Sequence, residues 1–236
     1  VWFGYDAHQR ANPGTTLNVT GDINTANLVG SYFVGTAPAI VFDGQGELNV
    51  TGVISGAGGL SKLGSGTLTL GGNNTFEGIA EARQGVIRVT HNNGLGSALT
   101  AHTEVQAGAA LELAGVTIAE SLAIREGGGG FGSGIDISSA GALRAVGGVT
   151  STVTGNVEII GGSNLIGASA GSTLNISGQI LSGLSTTARR LIKVGQGTVE
   201  LSGSQPNIYP GDTVVLQGRL DLNKSVVDGA IPGNLI

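Results

Sequence analysis

Thr16-Leu17-Asn18-Val19-Thr20-Gly21-Asp22-Ile23 returns as Glu47-Leu48-Asn49-Val50-Thr51-Gly52-Val53-Ile54, and again as Thr173-Leu174-Asn175-Ile176-Ser177-Gly178-Gln179-Ile180. In an extended chain successive side chains point to opposite faces, so the two apolar residues of each unit turn inward and the Asn between them outward. Looser copies fill the gaps: Leu68-Thr69-Leu70, Ile87-Arg88-Val89, Leu111-Glu112-Leu113, Ile135-Asp136-Ile137, Val157-Glu158-Ile159, Val199-Glu200-Leu201 and Leu220-Asp221-Leu222. Their spacing averages just under 23 residues, from 203 residues over nine intervals. A short strand recurring at that period is the mark of a solenoid. A β-sandwich also uses short strands but has no reason to repeat one formula ten times.

One such unit cannot bury its inward pair alone, so neighbours must stack into a continuous apolar core. The expected fold is all-β: a single-stranded parallel β-helix, or β-solenoid, of about ten coils. No Pro-rich or charged linker interrupts it, so residues 1–236 read as one continuous domain, with 1–12 a candidate N-terminal cap or docking segment. Glycine, 44 of 236 residues, is about 19% of the chain against roughly 7% in an average protein. The repeat gives it a place at the corners, at Gly21, Gly52, Gly66, Gly178 and Gly197, where positive φ and close backbone approach are needed. The inward positions are Leu17, Leu48, Leu68, Leu111, Leu174 and Leu220.

Composition removes whole classes of function. With no Cys there are no disulfides, zinc ribbons, thiol nucleophiles or iron–sulfur clusters. Eleven Lys and Arg against sixteen Asp and Glu give no basic patch for nucleic acid. No apolar run approaches the roughly 20 residues of a membrane helix. The chain starts at Val1 without a signal-peptide pattern, and is expected to be a processed chain or an excised segment. Ile231-Pro232-Gly233-Asn234-Leu235-Ile236 reads as a strand beginning with nothing after it.

A longer duplication lies over the short one. Lys62-Leu63-Gly64-Ser65-Gly66-Thr67-Leu68-Thr69-Leu70 aligns with Lys193-Val194-Gly195-Gln196-Gly197-Thr198-Val199-Glu200-Leu201, and Gly85-Val86-Ile87-Arg88-Val89 with Gly218-Arg219-Leu220-Asp221-Leu222. The first copy, from Gly59-Leu60-Ser61-Lys62 through Gly71-Gly72-Asn73-Asn74-Thr75-Phe76-Glu77-Gly78 to Gly85-Val86-Ile87, resembles the autotransporter-associated β-strand repeat. The second keeps Leu191, Lys193, Gly195, Gly197, Thr198, Leu201, Gly203, Tyr209, Gly211, Thr213, Val214 and Gly218, and departs by inserting Gln205-Pro206. The first departs at Ile79-Ala80-Glu81-Ala82, where Thr and Val are usual. Together the copies cover about 60 residues, and the motif carries no catalytic group. The resemblance implies a right-handed β-helical passenger region of a bacterial surface or secreted protein, acting as a stalk, an adhesin or a self-associating spacer. It implies an extracellular or outer-membrane-surface location. Gly233-Asn234-Leu235-Ile236 shows no amphipathic barrel strand or terminal aromatic, so the family's translocator barrel is not expected within this segment.

Few residues offer chemistry. Stacked in register, the outward positions Arg88, Glu112, Asp136, Glu158, Asn175, Glu200 and Asp221 would form a column. Glu112, Asp136 and Glu158, with Arg88 or Arg144, are its candidate glycan or cation surface. The plainer reading is a solvated outer face. His8, His91 and His102 have no metal-ligand spacing. Gly127, Gly129 and Gly132 fit G-x-G-x-x-G, but a strand follows where a phosphate site needs a helix. Gly134 stands where a calcium nonapeptide needs Asp. Asn18, Asn49, Asn73, Asn175 and Asn223 head N-x-S/T sequons, which the repeat formula explains as outward polar positions.

The expectation is thus no enzyme, no cofactor and no metal, with partners being other copies of the chain or a cell-surface or matrix ligand. Candidate association residues are Trp2, Phe3 and Tyr5 at one terminus and Leu235 and Ile236 at the other. The alternative is a polysaccharide-active or glycan-binding β-helix working through the acidic column.

Overall fold

In a computed structural model, the structure describes residues 8–25, 33–34, 37–97, 102–125, 141–183 and 189–236. Among these the regular elements are strands. They are short because the inward-outward alternation runs for only two to eight residues before glycine or a polar turn breaks it. The chain forms two compact units, Val1–Leu111 and Glu112–Ile236.

In the first unit the first three coils visit three sheets in turn, and among the described residues the next coil visits two of them. The first sheet stacks His8–Ala11, Ala37–Gly44, Gly59–Lys62 and Ala80–Ala82, with His102–Val105 beyond. The second stacks Thr16–Val19, Glu47–Val50, Thr67–Leu70 and Gly85–Val89, and the third Ile23–Asn24, Ile54–Gly56 and Thr75–Phe76. These stacks are parallel; the short Phe33–Val34 strand, antiparallel to Ala37–Gly44, stands apart from them. Register is strict, Leu17 opposite Leu48 opposite Leu68 and Asn18 opposite Asn49 opposite Thr69. A one-residue slip would turn every inward side chain to water, so burial itself fixes the register. Leu48, Leu68, Leu70, Ile87 and Val89 are fully buried.

The second unit is built the same way. One sheet stacks Ser121–Arg125, Val157–Ile160 and Ile180–Leu181. Another stacks Leu143–Ala145, Ser163–Ala168, Arg190–Val194 and Thr213–Val215. The third stacks Thr117–Ile118, Thr150–Val153, Thr173–Ile176, Thr198–Gly203 and Arg219–Lys224.

The β-solenoid reading holds, but the count of coils does not. The copies at 17, 48, 68 and 87 fall one per coil on a single sheet. In the second unit the copies at 157 and 174 are strands of one coil, on two different sheets, with Ser163–Ala168 between them. One formula serves two faces there because both bury alternate residues, so ten copies make fewer than ten coils. Ile135-Asp136-Ile137 lies outside the described residues, as do Gly127, Gly129, Gly132 and Gly134.

Of the two reasons expected for the corner glycines, close backbone approach holds and positive φ does not. Gly52, Gly66, Gly178 and Gly197 do not have positive φ. They are glycine because coils touch there: a Cβ on Gly52 would strike the Gly21 carbonyl oxygen, and one on Gly178 the Gly155 carbonyl oxygen. Positive φ falls instead on residues such as Gly64, Gly85, Gly195 and Gly218.

Candidate functional site

The polar side chains of the two long repeats are inside the fold. Lys62 and Lys193 are fully buried at equivalent corners. The Lys193 ammonium donates to the carbonyls of Val194 and Gly195 at 2.7 Å each, and of Gln217 in the next coil at 2.9 Å. Lys62 donates to the carbonyls of Leu63 and Gly64. The tight turn after each lysine aims these carbonyls at one point, and the ammonium satisfies them together. Burial pushes Lys62 down to about 8, against the pull of the Asp43 carboxylate. Burial alone does the same to Lys193, also to about 8.

Asn74 and Asn207 are the second shared feature. Asn74 Oδ1 accepts the Ile54 N–H at 2.8 Å, and its Nδ2 donates to the Gly94 carbonyl at 2.7 Å. Asn207 Oδ1 accepts the Ile180 N–H at 2.8 Å, and its Nδ2 donates to the Ala230 carbonyl at 2.8 Å. Each carboxamide therefore joins the coil before it to the coil after it. Two residues on, Phe76 and Tyr209 fill the core. Burial pushes the Tyr209 phenol up to about 12, although its bond with Thr213 Oγ1 works the other way. Sequence reasoning took Asn73 as the outward polar residue, and it is exposed, accepting from Asn93 at 2.8 Å. It missed Asn74 next to it. The available signal was the recurrence of Asn two residues before an aromatic, at Asn74-Thr75-Phe76 and Asn207-Ile208-Tyr209, masked by the Gln205-Pro206 insertion.

The acidic column is brought together only in part. Glu112 is buried, and Arg144 holds one of its oxygens through Nη2 at 2.7 Å and Nε at 3.0 Å. Arg144 also donates to the Gly141 carbonyl at 3.0 Å. Glu158 sits on the sheet of Val157–Ile160, its rung neighbours being Ala123 and Leu181. Asp136 lies outside the described residues. Arg88 stacks on Thr69 in the first unit. Asn175, Glu200 and Asp221 do stack in register, as the column requires. There Asn223 donates to Glu200 at 2.9 Å, and Arg219 pairs with Asp221. Hydrogen bonding to that carboxylate raises the exposed Arg219 guanidinium further.

A polar chain that the sequence did not reveal crosses two rungs of the first unit. Glu81 and Glu104 are register partners. Gln106 Nε2 donates to both carboxylates, at 2.8 and 3.1 Å. Arg83 closes one end on Glu81 at 2.7 Å, and His102 the other on Glu104 at 3.1 Å. The carboxylate oxygens are thereby taken up within the protein. Among the described residues, no three His, Asp or Glu side chains are grouped to hold a metal ion.

Of the association candidates, Trp2, Phe3 and Tyr5 lie outside the described residues. Leu235 and Ile236 form a further rung beside Thr213–Val215, with Ile236 N–H donating to the Thr213 carbonyl at 2.9 Å, and both side chains are more than half exposed. No helix among the described residues is long and apolar enough to cross a membrane.

Residues 60–89 and 191–222 match the passenger-associated-transport-repeat family. Over 214 residues, 91% of this chain, the sequence is 31% identical to the adhesin BmaC autotransporter of Brucella suis biovar 1 (strain 1330). The chain spans 5% of the length of that relative. No solved structure matches it.

Proposed function

Taking the chain as a passenger-type β-solenoid with two transport repeats, we propose that it is a non-enzymatic structural and adhesive segment of a protein displayed on the bacterial surface or released from it. The observation that carries this reading is the use made of its chemistry-bearing side chains. Lys193, Asn74, Asn207 and the Glu112–Arg144 pair join one coil to the next, and Lys62 closes its own turn. The adhesive part rests on the similarity to an adhesin, and the ligand is a component of a cell surface or matrix. The solenoid serves as one continuous domain, and its terminal segments, Trp2, Phe3 and Tyr5 with Leu235 and Ile236, take part in self-association.

Binding of fluorescent chain to decellularised matrix from cultured epithelial cells tests the adhesive reading. Saturable binding supports it, and binding that stays linear and no greater than that of an unrelated β-solenoid of equal charge refutes it. For self-association, light scattering over a concentration series is the measurement. Growth in mass that Trp2→Ala or Ile236→Asp reduces is expected; a monomer at every concentration removes that part.

A further inference from the structure

Ile23 and Ile54 are register partners on adjacent rungs, yet their amides are satisfied differently. Ile23 N–H donates to the backbone carbonyl of Val53 at 2.8 Å, whereas Ile54 N–H donates to the Asn74 side chain at 2.8 Å. Val157 and Ile180, also register partners, repeat the contrast. Val157 N–H donates to the Gln179 carbonyl at 2.9 Å, and Ile180 N–H to the Asn207 side chain at 2.8 Å. Each carboxamide then passes the bond on through Nδ2, to Gly94 or to Ala230. A peptide unit in a parallel ladder has the same polarity, its C=O pointing to one neighbouring strand and its N–H to the other. The asparagine side chain is therefore an extra ladder unit set into a corner, where the turning backbone supplies none. Asn74 and Asn207 are only 2% and 3% exposed, so water does not compete for their groups.

We propose that these two carboxamides are stops, interfaces at which coil loss that starts elsewhere in the same unit halts. In a solenoid each coil touches only its neighbours, and stability is a sum over coils and interfaces. At an ordinary interface, peeling a coil hands exposed backbone groups to water. At Asn74 or Asn207, peeling the following coil strips a buried carboxamide of its acceptor while its other half stays bound behind it. That bond, made by a carboxamide still anchored behind, is broken in addition to the backbone ladder, so the front pauses there. Each repeat would thus confine fraying or stretching to one side of its stop within its own unit. This depends on the solenoid and not on adhesion, so the two proposals can fail separately.

Amide hydrogen exchange on the full chain is the test. Ile54 and Ile180 amides should exchange at least about tenfold more slowly than those of Ile23 and Val157. Asn74→Asp keeps an oxygen toward the Ile54 N–H but sets a second oxygen against the Gly94 carbonyl. It should speed exchange of the Ser97 amide, which closes on Phe76 in the following coil, by about tenfold while Ile54 changes by less than about threefold. Pulling the full chain from its ends in an optical trap should show two reproducible pauses that Asn74→Asp/Asn207→Asp abolishes. Exchange at Ile54 and Ile180 no slower than at Ile23 and Val157, or pauses that persist in the double variant, would overturn the proposal. The wild-type exchange comparison decides even if a variant fails to fold.

Discussion

Arg144 grips Glu112 through two nitrogens on one carboxylate oxygen, at 2.7 and 3.0 Å, with both side chains largely withdrawn from water. An acid that the outward pattern offered to a ligand is engaged within its own unit. Breaking a pair of this kind leaves an uncompensated charge, which costs more than the pair itself contributes. Glu112→Gln should therefore destabilise the chain by about 3 kcal/mol, and Glu112→Leu/Arg144→Met should recover most of that. Urea unfolding followed by circular dichroism measures both. A Glu112→Gln midpoint equal to wild type would show that the pair contributes nothing to folding.

Two glycines separate the two reasons for glycine in this fold. Gly178 has an ordinary φ, but a Cβ there would strike the Gly155 carbonyl of the coil before it. Gly14 has a φ of +70°, and a Cβ there would meet nothing within 4 Å. Gly178→Ala should cost about 2–3 kcal/mol through forced separation of coils, and Gly14→Ala about 1 kcal/mol through backbone conformation alone. Thermal midpoints of the two variants check the order; the reverse order would mean that coil contact is not what selects glycine.

The strand formula made the architecture readable, because strict alternation at a steady period suits a stacked solenoid and little else. The number of coils was not readable, since Val157-Glu158-Ile159 and Leu174-Asn175-Ile176 look like successive coils and are faces of one. The buried polar residues were hidden for a different reason. Lys62 and Asn74 are of types that ordinarily face water, and only the turn geometry around them brings carbonyls and amides to meet them. Glu112 reads as outward by alternation, and its outward side is covered by Arg144 from a strand distant in sequence.

The buried lysines give stability a distinctive pH dependence. Lys62 and Lys193 lose a proton near pH 8 in the folded chain, against 10.5 for an ordinary lysine. Between these values the unfolded chain binds more protons, so stability rises with pH. Lys224, lowered by burial, adds in the same direction. Tyr209 opposes it: with its phenol raised from 10.0 to about 12, stability falls once pH passes 10. Urea midpoints should climb from about pH 7 to about pH 10 and then decline. Lys62→Met/Lys193→Met should remove most of the climb. A profile that falls steadily from pH 8 to 10 would show that the carbonyls around each ammonium outweigh its burial.

The sharpest check on a structural rather than catalytic role is a reducing-end assay with the purified chain on a panel of neutral and acidic polysaccharides, run beside matrix binding of the same preparation. A structural role predicts saturable binding with no reducing ends above the buffer control. Turnover that Glu158→Gln or Glu200→Gln abolishes, in chain still folded by circular dichroism, would contradict it.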